Sequence, residues 1–156
     1  MACLSNDRPD WVENMADCLF CKIAEGVVPA SMVYSDEKVT AFLDAQPVNT
    51  GHVLVIPKTH ARELSELDPE VGGQMFKVAM VVTEGLKRSG LKCEGVDLIL
   101  GDKWAVSRLF PHVHLHVIPR FKGGGFKQKY GPNYGNKPER KELDTIAEQI
   151  RRAIYK

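Results

Sequence analysis

The sequence predicts an α+β domain in which helices cover an antiparallel sheet. Two observations carry this prediction. The predicted elements follow one another as strands, helix, strands and helix, an order that favours segregated strands and helices over a parallel βαβ array. The chain has 156 residues, of which 44% are hydrophobic, enough for one domain with a core of its own. We therefore expect a flexible N-terminal arm over residues 1–16 and a single domain over residues 17–156.

The individual elements are predicted from apolar periodicity and from residues that begin or end helices. A short helix is expected over 17–24, and strands over 32–34, 39–43, 53–57, 96–100 and 112–118, the last of them ended by Pro119. Asp68 and Pro69 begin a long helix that Gly90 ends. Its core stripe consists of Met75, Val78, Val82 and Leu86. A final helix over 139–155 carries a second stripe, Leu143, Ile146, Ile150 and Ile154.

The composition excludes several classes of protein. Lys and Arg total 21 and Asp and Glu total 20, so a net charge of +1 gives no reason to expect duplex nucleic acid or a membrane surface as partner. The sequence contains no apolar run that could span a membrane and no secretory signal pattern. We therefore expect a cytoplasmic protein with reduced cysteines, a nuclear presence being left open.

Three histidines alternate with apolar residues along the last predicted strand. Side chains alternate between the two faces of a strand, so His112, His114 and His116 should share one face while Val113 and Leu115 enter the core. Such a cluster suits metal binding, acid–base catalysis or nucleophilic attack. The alternative is a polar strand that simply faces solvent.

The remaining histidines and a cysteine pair point to a metal site. His52 and His60 flank the buried strand 53–57, so all five histidines could converge if the two strands are neighbours. Cys18 and Cys21 have the spacing of a zinc half-site, and histidines could complete it. The alternatives for the cysteine pair are two buried small side chains or a redox dithiol.

At this point the residues resemble a known family. The run 112–118, His-Val-His-Leu-His-Val-Ile, resembles the motif of the histidine triad (HIT) superfamily. The run 18–23 resembles the amino-terminal signature of its zinc-containing, nucleoside phosphoramidase-like branch, and the runs 41–44 and 51–60 resemble the first half of the family's nucleotide pocket. The resemblance implies a five-stranded antiparallel sheet with two main helices and a homodimer. We expect the long helix to form much of that dimer contact, since its run 78–82 is apolar beyond one core stripe.

The resemblance also implies an activity and a set of site residues. The activity is hydrolysis or transfer at the α-phosphate of a purine nucleotide through a nucleotidyl-histidine intermediate. His114 would be the nucleophile, His116 would contact the phosphate and His52 would orient the nucleophile. The base pocket would include Leu19, Phe20, Ile23 and Phe42, and Asp44 would accept the ribose hydroxyls. A closed, structural zinc would be held by Cys18, Cys21, His60 and His112.

The loop before the triad departs from the family. Arg108 stands where Gln is common, and Leu109 where Ser or Thr is common. A guanidinium at Arg108 would bind phosphate oxygens and favour an anionic leaving group, whereas the alternative is a side chain in solvent. The leading hypothesis is an adenosine 5′-monophosphoramidase-like hydrolase. The alternatives are a dinucleoside polyphosphate hydrolase and, in another class, a catalytically idle nucleotide-binding scaffold; a DNA-end deadenylase is disfavoured because the chain has no basic stripe.

Overall fold

The structure is a computed structural model that describes residues 18–102, 110–125, 131–132 and 134–155. Residues 1–17, which include the predicted arm, lie outside the described part. The chain divides into two compact units, one ending at Gly125 and one beginning at residue 126. The sheet and all five histidines belong to the first unit, and the single domain over 17–156 stays a prediction.

The first unit is built on one five-stranded sheet, as the α+β prediction requires. Its strands are β1 Met32–Ser35, β2 Val39–Leu43, β3 Val53–Pro57, β4 Gly95–Leu100 and β5 Leu115–Arg120, and its helices are α1 Leu19–Ala24 and α2 Pro69–Arg88. The strands lie in the order β1-β2-β3-β5-β4, and every neighbouring pair is antiparallel. The predicted fold class is therefore confirmed.

The last strand differs from the prediction at both of its ends. The regular strand begins at Leu115, not at residue 112, because the preceding segment leaves the ladder and Val113 N–H donates to the carbonyl of Ala61. Pro119 does not end it, since Pro119 is buried and paired with Val96 of β4. The carbonyl of Pro119 accepts from Asn49 Nδ2, on the side of β5 that faces β3 but lies before the first residue of β3, Val53. A proline is tolerated there because no ladder bond needs its missing N–H.

The two faces of the sheet carry different cores. Alternate residues of the strands, among them Val55, Leu115 and Val117, pack against α2 in the larger core. The intervening residues face the other way, where Phe42, Leu54 and Ile56 pack with the residues of α1. This second face also carries His116, which is paired in register with Leu54 of β3 and Ile99 of β4. The predicted alternation is thus confirmed for His116, which faces away from Leu115 and Val117, whereas His112 and His114 precede the regular strand.

Helix α2 begins and packs as its sequence predicts. Asp68 caps it by accepting the N–H of Glu70, and Pro69 occupies the first turn. The four stripe residues are buried, and Ala79 joins them. The opposite side of the helix leaves Phe76, Met80 and Val81 more than half exposed.

The second unit contains one long helix, α3 Arg140–Ile154. Its four stripe residues are exposed: Leu143, Ile146, Ile150 and Ile154. Glu148 pairs with Arg151 and Arg152 one turn along. Among the described residues of the whole chain, no helix is long and apolar enough to cross a membrane.

Candidate functional site

The histidines of the second sheet face form two adjacent clusters. We call Cys18, Cys21, His60 and His112 the metal cluster, because their ligand atoms converge, and Asp44, His52, His114 and His116 the His114 cluster. His112 and His114 are both buried, with exposed fractions of 1% and 5%. That burial rejects the interpretation of the triad as polar residues on a solvent-facing strand.

The four side chains of the metal cluster converge on one point. Each offers a ligand atom, and the four atoms all lie within 4.8 Å of one another. The His112 Nδ1 lies 3.4 Å from the Cys18 Sγ and 3.5 Å from the Cys21 Sγ, and the His60 Nδ1 lies 3.2 Å from the Cys21 Sγ. Ligand atoms around a tetrahedral zinc lie roughly 3.3–3.8 Å apart. Two sulfur and two imidazole ligands at this spacing fit zinc.

A main-chain carbonyl prepares His112 to be a ligand. Its Nε2 lies 2.9 Å from the carbonyl oxygen of Pro57, which only accepts, so Nε2 carries the proton and Nδ1 presents its lone pair to the two thiols. Burial lowers the pKa of His112 to about 4. The ring is therefore neutral at physiological pH, as a metal ligand must be.

The Cys21 thiol does not have the electrostatics of a redox cysteine. Burial, followed by a hydrogen bond with Cys18, raises the pKa of Cys21 to about 12. Reactive cysteines require the opposite shift, because the thiolate is the nucleophile. A metal cation would favour the thiolates directly, so metal binding suits this pair better than redox chemistry.

His114 has the opposite tautomer from His112. Its Nδ1 donates to the carbonyl of His112 at 2.7 Å, which leaves the Nε2 with its lone pair. Its ring packs edge-on against Phe20 at 5.4 Å and His116 at 4.9 Å between ring centroids. The ring is thus held in one orientation with an unprotonated nitrogen, which is the arrangement that a nucleophilic imidazole requires.

His52 contacts His116 and the loop that follows β2. The His52 Nε2 lies 2.9 Å from the His116 Nδ1, while the N–H of Val48 donates to the His52 Nδ1 at 3.2 Å. Burial lowers the pKa of both rings, that of His116 to about 4, with His114 as the next cause there. The structure therefore places His52 against His116, the third histidine of the triad, rather than leaving it solvated.

Asp44 lies at the edge of the same cluster. Its Oδ2 is 3.6 Å from the His52 Nδ1, and its Oδ1 accepts the N–H of Gln46. The loop between β2 and β3 is closed by main-chain bonds from Asp44 N–H to the His52 carbonyl and from His52 N–H to the Asn49 carbonyl. Gly51 in this loop has φ +91°, a conformation that side chains rarely adopt.

The predicted base-pocket residues are mostly buried together. Phe20, Ile23 and Phe42 belong to one core cluster, whereas Leu19 is 39% exposed. Phe20 contacts rings of both clusters, since its centroid lies 5.9 Å from His112 and 5.4 Å from His114. Whether these side chains contact a base stays a prediction.

Sequence reasoning missed contributors that act through the main chain, and one aromatic ring. The carbonyl of Pro57 and the amide of Val48 orient His112 and His52, and a main-chain group leaves no signature in residue identity. Phe110 stacks on Phe20 at 4.7 Å; its nearness to the triad was the one available signal. Arg108 lies outside the described residues, so its predicted phosphate contact is a proposal only.

Comparison with known proteins identifies the family. The family model described as the HIT domain matches residues 25–123. The chain belongs to the HIT family. A solved HIT family protein from Bacillus anthracis is 34% identical, with a TM-score of 0.79 over 88% of this chain and 96% of that one. The chain thus shares both sequence and fold with this HIT protein.

Two further HIT relatives bear on metal and activity. A zinc-bound histidine triad family protein from Mycobacterium smegmatis is 33% identical, with a TM-score of 0.69 over 88% of this chain and 98% of that one. The adenylylsulfatase HINT3 of Arabidopsis thaliana is 35% identical over 105 residues, which are 67% of this chain and 52% of that protein. The HIT domain of this chain therefore has a zinc-bound neighbour and a relative named for an activity on an adenylyl compound.

Proposed function

We propose that this HIT protein hydrolyses or transfers groups at the α-phosphate of purine nucleotides through a nucleotidyl-His114 intermediate. The preferred substrate class is AMP linked to an amine, as in an adenosine 5′-monophosphoramidase. The observation that carries the proposal is the bond from His114 Nδ1 to the His112 carbonyl, which leaves the Nε2 free to attack. The Arabidopsis adenylylsulfatase supports chemistry at an adenylyl group in this family.

In the first step the lone pair of His114 Nε2 forms a bond to phosphorus, and the bond from phosphorus to the leaving nitrogen breaks with its electron pair on nitrogen. That nitrogen takes up a proton from solvent and leaves as the amine, and the water consumed in the second step returns a proton to solvent. The imidazole ring becomes cationic as this bond forms. Its remaining N–H already points at the His112 carbonyl, 2.7 Å away, so the carbonyl dipole stabilises the charge. Water then attacks phosphorus, the P–N bond breaks, and neutral His114 is restored with release of the monophosphate.

His116 and Asp44 would bind the parts of the nucleotide that do not react. The His116 ring neighbours His114 at 4.9 Å and would contact a phosphoryl oxygen while His114 contacts phosphorus. Asp44 would accept two ribose hydroxyls, which suits a carboxylate with a partly exposed oxygen. Leu19, which is part-exposed on α1, would contact the base.

We propose that the metal cluster holds one structural zinc per chain. With four protein ligands the site is closed, so bound zinc would supply cross-linking of α1 to the segments 60–61 and 112–113 rather than a reactive water. Cys18 and Cys21 flank Phe20, whose ring packs on His114. The zinc ligands would therefore also hold the wall against which the nucleophile rests.

We further propose a homodimer in the cytoplasm. The side of α2 that carries Phe76, Met80 and Val81 is exposed, and β4, at the edge of the sheet, exposes Leu98. Exposed apolar side chains on a helix, and an edge strand with one paired side in the described part of the chain, favour association with a second copy.

Product analysis with two substrate classes tests the activity. The same preparation should be given an AMP phosphoramidate and diadenosine polyphosphates, with His114→Asn as the matched inactive variant. We expect turnover of the phosphoramidate at the higher kcat/KM. Preference for the polyphosphates would favour the dinucleoside polyphosphate hydrolase. Binding of AMP without turnover of either substrate would reject the enzyme in favour of a nucleotide-binding scaffold.

A further inference from the structure

The two histidines beside the reacting centre present opposite hydrogen-bonding groups. His114 donates a hydrogen bond from its Nδ1 to the His112 carbonyl and presents the lone pair of its Nε2. His116 has its Nδ1 against the His52 Nε2 at 2.9 Å, so only one of these two nitrogens can carry the proton between them. Which one carries it decides whether His116 presents an N–H or a second lone pair to the substrate.

The position of this proton is determined at the His52 Nδ1, the ring nitrogen that does not face His116. The N–H of Val48 donates to the His52 Nδ1, so this nitrogen is the acceptor and the proton of neutral His52 must be on Nε2. His52 then donates to the His116 Nδ1, and the proton of neutral His116 must be on its own Nε2. One main-chain amide thus fixes the tautomers of two rings in series.

A rival group would set the opposite polarity. The Asp44 Oδ2 lies 3.6 Å from the same His52 Nδ1 and, as an acceptor, would favour a proton there. The Val48 N–H is the closer group at 3.2 Å and has hydrogen-bonding geometry. It is also held in place, because the main-chain bonds on either side of it close the loop from Asp44 to His52. The amide therefore prevails over the carboxylate.

We propose that the main-chain amide of Val48, acting through His52, fixes His116 as a neutral Nε2–H donor beside the lone pair of His114. Val48 and His52 are positioning residues in this arrangement. The inference rests on the proposed function for its consequence, which is that one ring attacks phosphorus while the next donates a hydrogen bond to a phosphoryl oxygen. A donor aimed at developing charge and fixed in advance avoids reorganisation during the reaction.

Burial supports the neutral form of both rings. It lowers the pKa of His52, and lowers that of His116 to about 4, with the neighbouring rings His114 and His52 acting in the same direction on His116. A neutral imidazole N–H is a hydrogen-bond donor and a very weak acid. His116 therefore stabilises charge and does not protonate the leaving group.

The tautomers are directly measurable by nitrogen NMR of the full chain labelled with ¹⁵N-histidine at neutral pH. We expect His52 and His116 to carry the proton on Nε2, and His114 to carry it on Nδ1. Finding the His116 proton on Nδ1 would overturn the inference. This result needs no substrate, so it decides the inference even if the proposed nucleotide chemistry fails.

Two matched pairs of variants test the connection. Val48→Pro removes the amide N–H, whereas Val48→Ala keeps it and trims a side chain that is 40% exposed. We expect Val48→Pro, and not Val48→Ala, to shift the His52 and His116 nitrogen signals. Equal spectra for the two folded variants would contradict the role of the amide.

His52→Gln keeps an N–H facing His116, while His52→Leu removes it at similar volume. We expect His52→Leu to lower kcat by roughly tenfold to a hundredfold with little change in KM, and His52→Gln to restore most of that loss. An equal loss of kcat in the two variants would show that His52 acts only through packing and would reject the inference. This pair and the wild-type spectrum decide the matter if Val48→Pro does not fold.

Discussion

The metal cluster and the His114 cluster hold the same kind of side chain in opposite orientations. His112 and His114 are two residues apart, and both are neighbours of Phe20. His112 donates a hydrogen bond from Nε2 to the Pro57 carbonyl, so its Nδ1 lone pair faces the thiols. His114 donates from Nδ1 to the His112 carbonyl, so its lone pair is on Nε2. The main-chain carbonyl that accepts the hydrogen bond thus determines which ring nitrogen presents a lone pair.

The two clusters are alike in their exposure. Each has two buried side chains and two part-exposed ones, which are Cys21 and His60 in the metal cluster and Asp44 and His116 in the His114 cluster. The difference between the clusters therefore lies in the orientation of their rings.

The largest effect expected from this difference is on catalysis. His114→Ala should reduce kcat by about a thousandfold or more while leaving nucleotide binding and zinc content near wild type, because it removes only the covalent route. Single-turnover kinetics, AMP titration and metal analysis of the same preparation would check all three. A variant that keeps more than about a tenth of wild-type activity would show that His114 is not the nucleophile.

The converse change breaks the other cluster. Cys18→Ala should abolish zinc binding and lower the free energy of unfolding by about 3 kcal/mol or more, since a closed site contributes folding energy. Activity per folded molecule should fall far less than in His114→Ala. Cys93→Ser is the control, because Cys93 lies outside both clusters and its thiol only donates to the Gly95 carbonyl.

Metal analysis by mass spectrometry should find about one zinc per wild-type chain. A wild-type content near zero would reject the metal cluster as a zinc site.

Protonation of His116 should change the stability of the protein by a smaller amount. The pKa of His116 is about 4 in the folded protein and about 6.5 in the unfolded chain. Between pH 4 and pH 6.5 the unfolded chain therefore binds more protons than the folded protein. The stabilising contribution of neutral His116 is complete above pH 6.5 and is lost as the pH falls towards 4, by at most about 3 kcal/mol.

Denaturant unfolding at several pH values, for wild type and His116→Gln, would measure this contribution. The variant should show a flatter decline of unfolding free energy below pH 6.5, and the difference between the two curves removes any shared effect of zinc release. Parallel curves would mean that His116 is not held neutral.

Much of this architecture is predictable from sequence. The strand-like run 39–43, the continuous apolar run 53–57, and the Asp68 cap with its stripe predicted those elements within a residue or two. The predicted start of β5 was wrong because the bond from Val113 to Ala61, which takes 112–114 out of the ladder, depends on a distant chain segment. The predicted end was wrong because the tolerance of Pro119 depends on where β3 begins.

The candidate site divides in the same way. Side chains with distinctive chemistry can be recognised from residue type and spacing, as Cys18, Cys21 and the histidines were. The groups that orient them are the Pro57 carbonyl and the Val48 amide, and such main-chain groups occur at every position, apart from the N–H that proline lacks. Their action follows from three-dimensional placement, and sequence alone does not reveal it.

The smallest expected effect lies outside both clusters, on the exposed side of α2. Met80→Lys should shift the chain from dimer to monomer in sedimentation at low micromolar concentration, because it places a charge on the exposed face beside Phe76 and Val81. Zinc content should not change. Val27→Lys, at another exposed apolar position, is the control. A wild-type protein that is monomeric in this experiment would reject the proposed homodimer.

The central claim is that ring orientation selects His114, and not its neighbours, as the nucleophile. The most direct measurement is peptide mapping by mass spectrometry after an AMP phosphoramidate reaction is stopped in base, where a P–N bond survives. The account predicts one adenylyl group on the His114 ring and none on the His112 or His116 ring. An adduct on either of those rings, or a reaction that turns over substrate with no adduct at any histidine, would contradict it.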